Sequence, residues 1–182
     1  MPRLLNITDR AAPPAPGFDQ PFEMLDACHD KIRQMLALMA RMREHIERNG
    51  NDAQARAAAQ DVMRYFDVAA PHHHLDEERH VLPALEASAD EKLAGLAARL
   101  RREHREMEQG WAAARPVLAR IAQGEPASPT PQEDQTLSSF AGLYADHIAA
   151  EEEAAFPAAK TALGAAQVSA MALDMKARRG VK

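Results

Sequence analysis

Histidine and glutamate recur along this chain at spacings that suit a metal centre. His73 and Glu77 stand four residues apart, and so do His147 and Glu151. On a helix, residues i and i+4 share one face, so each pair offers a nitrogen and a carboxylate to the same place. The two stretches repeat further. Phe66 lies seven residues before His73 and Pro83 ten after it, and Phe140 and Pro157 hold the same offsets about His147. With His29 and His104 the set reaches four nitrogens and two carboxylates able to bridge two ions.

A coordination count sharpens that chemistry. Two six-coordinate ions present about twelve positions between them. The four histidines fill four, two bridging carboxylates fill four, and a bridging oxide or hydroxide fills two. Glu108, one helical turn after His104, takes one of the rest and leaves an open position for a small ligand. Nitrogen and oxygen donors in octahedral geometry suit iron or manganese better than a tetrahedral structural zinc. A second register is also open, because His74 and Glu78 form the same i, i+4 pair.

Long helices must position these groups. Only eight of 182 residues are Phe, Tyr or Trp, while Ala, Leu and Met abound. Strong helix formers dominate and β-branched residues are scarce, which argues against an extended sheet. A first helix should start near Asp19, tolerate Pro21 in its first turn, and stop at Asn49-Gly50. Asn51 then caps a second helix running to Leu85–Ala87, with a bend or loosened turn at Pro71 before the histidine run. Ser88 with Glu91 starts a third helix, which carries Pro116 and ends near Gly124. After a Pro-rich connector, Thr130-Pro131-Gln132-Glu133 starts a fourth that reaches about Leu163.

Helices with short connections fold most economically as neighbours of opposite direction. The chain therefore reads as all-α, an antiparallel up-down four-helix bundle over residues 19–165. An irregular arm carrying Pro13, Pro14 and Pro16 precedes it over residues 1–18, and a short helix or tail follows over 166–182. In that topology His73, His104 and His147 lie at matching depths, with His29 a looser match.

The balance of the chain narrows the partners. Lys and Arg number twenty-two against twenty-seven Asp and Glu, a net charge of −5. No dense basic run is present, so neither nucleic acid nor an anionic membrane is an expected partner. The basic Lys176–Arg179 stretch reads as a solvated tail. A single cysteine, Cys28, excludes an internal disulfide and Cys-rich zinc or iron–sulfur patterns. Residues 1–19 lack the apolar core of a secretory signal, no run approaches about 18 apolar residues, and a cytoplasmic setting is expected. His72, His74 and His80 read as surface residues and Tyr144 as core packing. Cys28 points about 100° away from His29 around the helix and is given no redox role.

Four segments in order carry a resemblance to a known family. They are Cys28-His29-Asp30-Lys31-Ile32, the run from His72 to Pro83, Arg102-Glu103-His104, and the run from His147 to Pro157. Together they resemble the hemerythrin family, above all the bacterial hemerythrin-like HHE cation-binding domains, over roughly residues 20–160. The resemblance implies a four-helix bundle holding two non-haem iron ions. His29, His73, His104 and His147 match terminal ligands, and Glu77 and Glu151 match bridging carboxylates. Glu152 resembles the longer carboxylate spacing of the oxygen carriers. Glu108 occupies a position where those carriers use a histidine, which points to altered redox behaviour. The implied function is binding or sensing of a diatomic ligand, oxygen or nitric oxide, alongside a redox or signalling protein partner. The alternatives are peroxide or nitric-oxide detoxification, iron-centre repair, and a metal-stabilised interaction bundle without catalysis.

Overall fold

The computed structural model describes residues 16–125 and 128–181. Of the expected irregular arm, residues 1–15 lie outside that range. Helix α1, Pro21–Asn49, begins behind Gln20 and ends at Gly50, whose φ of 78° suits a residue without Cβ. Helix α2, Ala53–Asp76, is capped by Asp52 rather than Asn51. The Asp52 carboxylate accepts from the N–H groups of Gln54 and Ala55 and adds negative charge at the positive end of the helix. Asn51 instead donates to the Ile121 carbonyl.

Past Asp76 the chain widens into a π-helical turn, Glu77–Val81, before α3, Leu82–Glu86. Helix α4 spans Glu91–Ala122 behind an Asp90 cap and runs through Pro116. Helix α5, Pro131–Gly142, starts with the expected Thr130/Glu133 capping box. Helix α6, Ala145–Ala150, leads into a second π turn, Glu151–Ala155, and α7, Phe156–Ala162. Helix α8 covers Ala165–Arg178. No strand occurs among the described residues.

Two expectations about continuity need correction. The fourth helix is interrupted at Leu143–Tyr144, directly after the poor helix former Gly142. Pro71 does not loosen α2, because it sits on the exposed face where a freed carbonyl can meet water. The loosening comes later, ahead of Pro83. A proline ring crowds the carbonyl four residues back and offers no N–H, so the turn before it opens. The Leu82 N–H accordingly reaches the Glu77 carbonyl, five residues back, and Phe156 ahead of Pro157 does the same to Glu151.

Helix α1 packs on α2, α2 on α4, and α4 on α5, while α3 packs on α4 and α7. Two apolar clusters result. One gathers Ile32, Met39, Ile46, Val62, Phe66, Leu118 and Phe140. The other gathers Leu25, Leu82, Leu85, Leu100, Phe156, Met171 and Met175. The chain crosses between them at His29, at His73–Glu77, at His104 and at His147–Glu151. The polar set therefore lies at the junction of two dry cores.

The basic stretch near residue 178 is not solvated. Helix α8 buries Met171 and Met175, and Arg178 and Arg179 both pair with Asp76. Asp76 is 0% exposed, and a carboxylate so far from water needs cations against it. Asp174 of the same helix holds His80 at 2.8 Å and Arg79 at 3.3 Å.

Candidate metal centre

Six buried side chains meet at the junction of the cores: His29, His73, Glu77, His104, His147 and Glu151. His29 Nε2 lies 3.0 Å from Glu151 Oε2 and 3.7 Å from Glu77 Oε1. His73 Nε2 lies 3.2 Å from Glu77 Oε1. His104 Nε2 stands 3.4 Å from Glu77 Oε2 and 3.7 Å from Glu151 Oε1, and His147 Nε2 is 3.1 Å from Glu151 Oε1. Each glutamate thus faces histidines from more than one helix, one oxygen to each side.

These short distances are ion-pair contacts whose angles do not meet those of a directed hydrogen bond. The Nε2 atoms of His29, His104 and His147, the Nδ1 of His73 and all four carboxylate oxygens of Glu77 and Glu151 lack a hydrogen-bond partner among the described residues. They are packed close without aiming at one another. Buried polar atoms are otherwise paired almost without exception, and leaving this many unpaired costs several kcal/mol. Convergent, unpaired nitrogens and carboxylate oxygens are what a cation needs. Two overlapping groups bring their ligand atoms within 4.8 Å of one another: His29, His73, Glu77 and Glu151, and His104, His147 and Glu151. The donor set fits a metal cation.

Electrostatics follow from the same contacts. Burial opposes charge on His29, yet the adjoining Glu151 and Glu77 override it and lift the imidazole to about 10. For His104 burial is again outweighed, by Glu151, Glu77 and Glu78, and the value rises to about 11. Burial and the neighbouring Glu151 push Glu77 up, but His73, His104 and His29 prevail and hold it at about 2. Glu151 is held well below the usual carboxylate range by His104, His147 and His29 despite its burial. His73 shifts the other way, because burial dominates and keeps it neutral.

The profile of the hemerythrin HHE cation-binding domain matches residues 20–159. The chain belongs to the hemerythrin HHE cation-binding family. It is also 27% identical over 165 residues to an uncharacterised protein of Haemophilus influenzae, covering 91% of this chain and 93% of that one. The family binds metal cations, and in this hemerythrin-like chain the buried histidine and glutamate cluster is the place that fits them. No helix among the described residues is long and apolar enough to cross a membrane.

Glu108 stands apart from the cluster. It is exposed and lines a cavity of about 50 Å3 with Phe66, Met107, Trp111, Tyr144 and His74. The expected coordination role of Glu108 finds no support here, since it belongs to neither group of converging ligand atoms, while the His74 ring stands against that of His104. The two rings stack at 4.2 Å and 7°. His74 itself corrects a second expectation, because it is 8% exposed rather than a surface residue. Burial, then the charge on His104, keeps it neutral. A larger groove of about 830 Å3 between α1 and α2 is lined by none of the cluster residues.

The open choice of register also takes a physical form. Glu77 turns into the cluster, while the next carboxylate, Glu78, meets His104 Nδ1 at 3.0 Å. Glu151 turns inward in the same way, and Glu152 meets His29 Nδ1 at 3.1 Å. Spacing within one helix gives no sign of these contacts between helices. Glu103 at 2.9 Å from His147 Nδ1 is a further one that the sequence pattern did not single out.

Proposed function

We propose that the chain is a non-haem di-iron protein that binds or senses a small diatomic ligand, oxygen or nitric oxide. The observation carrying this reading is the buried convergence of histidine nitrogens and carboxylate oxygens that make no directed hydrogen bond. In the proposed assignment Glu77 and Glu151 would supply the carboxylates that hold the ions. His29, His73, His104 and His147 would supply the nitrogens. We take the helices to be arranged as an antiparallel up-down bundle over residues 19–165, with α8 as an added strap. Iron, when bound, supplies reversible electron exchange with a small ligand.

The protein's own contribution is confinement. Apolar clusters on both sides keep bulk water from the histidines and glutamates. A small cavity of about 50 Å3 lies beside His74, which stacks on His104, and it has room for a small molecule. Its walls are largely apolar at Phe66, Met107 and Trp111, with Glu108 and Tyr144 also lining it. We place the protein in the cytoplasm, working with a redox or signalling partner.

The test is iron content and response to ligand. Freshly purified protein should hold two irons per chain, and H147A and E151A should lose most of that while H80A keeps it. Equal iron in all three variants would remove the assignment. Anaerobic addition of nitric oxide should give a stoichiometric spectral change. Sustained consumption would instead favour detoxification.

A further inference from the structure

Three of the four clustered histidines are held from behind by a carboxylate, each from another helix. Glu78, at the start of the turn after α2, meets His104 Nδ1 on α4 at 3.0 Å. Glu103 on α4 meets His147 Nδ1 on α6 at 2.9 Å. Glu152, in the turn after α6, meets His29 Nδ1 on α1 at 3.1 Å. In all three the opposite ring nitrogen, Nε2, faces Glu77 or Glu151. The fourth, His73, has no hydrogen-bond partner at Nδ1 among the described residues.

The carboxylates are themselves tied down at the surface. Glu152 accepts from Arg33 at 2.7 Å, and Glu103 accepts from Arg99 at 2.7 Å. Arg101 stands 4.0 Å from the Glu78 carboxylate, donates to its backbone carbonyl, and is braced by Glu86 at 2.8 Å. An imidazole that binds a cation through Nε2 must keep its proton on Nδ1, and a carboxylate there fixes that tautomer and the ring's direction. It also lends negative charge to the ring, which strengthens the ring as a donor.

We propose that Glu78, Glu103 and Glu152 are positioning residues, each fixing through Nδ1 the histidine of a neighbouring helix that points Nε2 into the centre. This rests on the metal-centre reading above. It accounts for both members of each Glu-Glu pair, since Glu77 and Glu151 face inward while Glu78 and Glu152 each serve another helix's histidine. It also makes the centre unequal, because His104 and His147 are both braced, whereas His29 is braced and His73 is not.

The test compares E78Q, E103Q and E152Q with E153Q, a change at an exposed neighbour. Gln keeps the size and removes the charge. Each of the first three should bind ferrous iron about 10- to 100-fold more weakly than wild type. Each should also raise the ferric/ferrous midpoint potential, because a less electron-rich imidazole favours the ferric state less. On zinc-loaded protein, nitrogen-15 histidine spectra should show one displaced Nδ1–H signal per Gln variant and none for E153Q. Affinities, potentials and spectra equal to those of E153Q, in protein with wild-type iron, would overturn the positioning role alone. A wild-type protein that takes up no iron would overturn both this role and the reading beneath it.

Discussion

At pH 7 the metal-free protein carries protons that a bound cation must expel. His29 at about 10 and His104 at about 11 are both charged, and they balance the ionised Glu77 and Glu151. His73 is neutral because burial dominates there. His147 is raised, burial being outweighed by Glu151. Loading therefore releases at least the two protons of His29 and His104 per chain. Each released proton makes affinity rise about tenfold per pH unit, so the summed affinity should climb about 100-fold per unit near neutrality, or about 2.7 kcal/mol. Calorimetric titration with ferrous iron, under anaerobic conditions in buffers of different ionisation heat, reads the proton count directly. Release of fewer than one proton per chain would refute the charge balance.

The same shifts set the pH response of the metal-free fold. His29 and His104 are raised, so their stabilisation is complete below the ordinary value of 6.5 and fades as pH rises towards 10 and 11. Glu77 and Glu151 are lowered, so theirs is complete above the ordinary value of 4.5 and fades on acidification. Urea midpoints of metal-free protein should peak between these limits, and a peak above pH 8 would contradict the signs.

Other changes probe the surroundings. E108A should keep its iron but alter the rate at which nitric oxide reaches the centre, since Glu108 lines the cavity beside His74. An unchanged rate in stopped-flow measurements would remove Glu108 from the access route. D76N takes the charge from a fully buried partner of Arg178 and Arg179 and should cost about 3–5 kcal/mol. For a chain of this size that lowers Tm by roughly 6–20 °C, and a loss under about 1 kcal/mol would show the pair to be dispensable.

Much of the centre was legible because its signal is local. His73 with Glu77 and His147 with Glu151 share helix faces, and a 3.6-residue period reports that directly. The offsets of Pro83 and Pro157 were legible too, though not their effect, because a π turn is a response to strain rather than a propensity. His74 was misplaced for a different reason. Its direction, one residue on from His73, is a surface direction only until α4 supplies His104 to stack on it. Glu78, Glu103 and Glu152 reach histidines 26, 44 and 123 residues away, beyond any helical period. The Arg178 and Arg179 contact with Asp76 is hidden in the same way. The cap at Asp52 shows a local competition in which a charged neighbour displaced Asn51.

That contact with Asp76 imposes an order of events on synthesis. Arg178 and Arg179 leave the ribosome 102 and 103 residues after the carboxylate they neutralise. A nascent chain can expose every histidine and glutamate of the cluster while Asp76, the residue before Glu77, still lacks its counter-charge. Such a chain would keep that segment hydrated and the turn at Glu77 loose, because burying a bare carboxylate is too unfavourable. On that reasoning the segment around Glu77 should close only after α8 has docked.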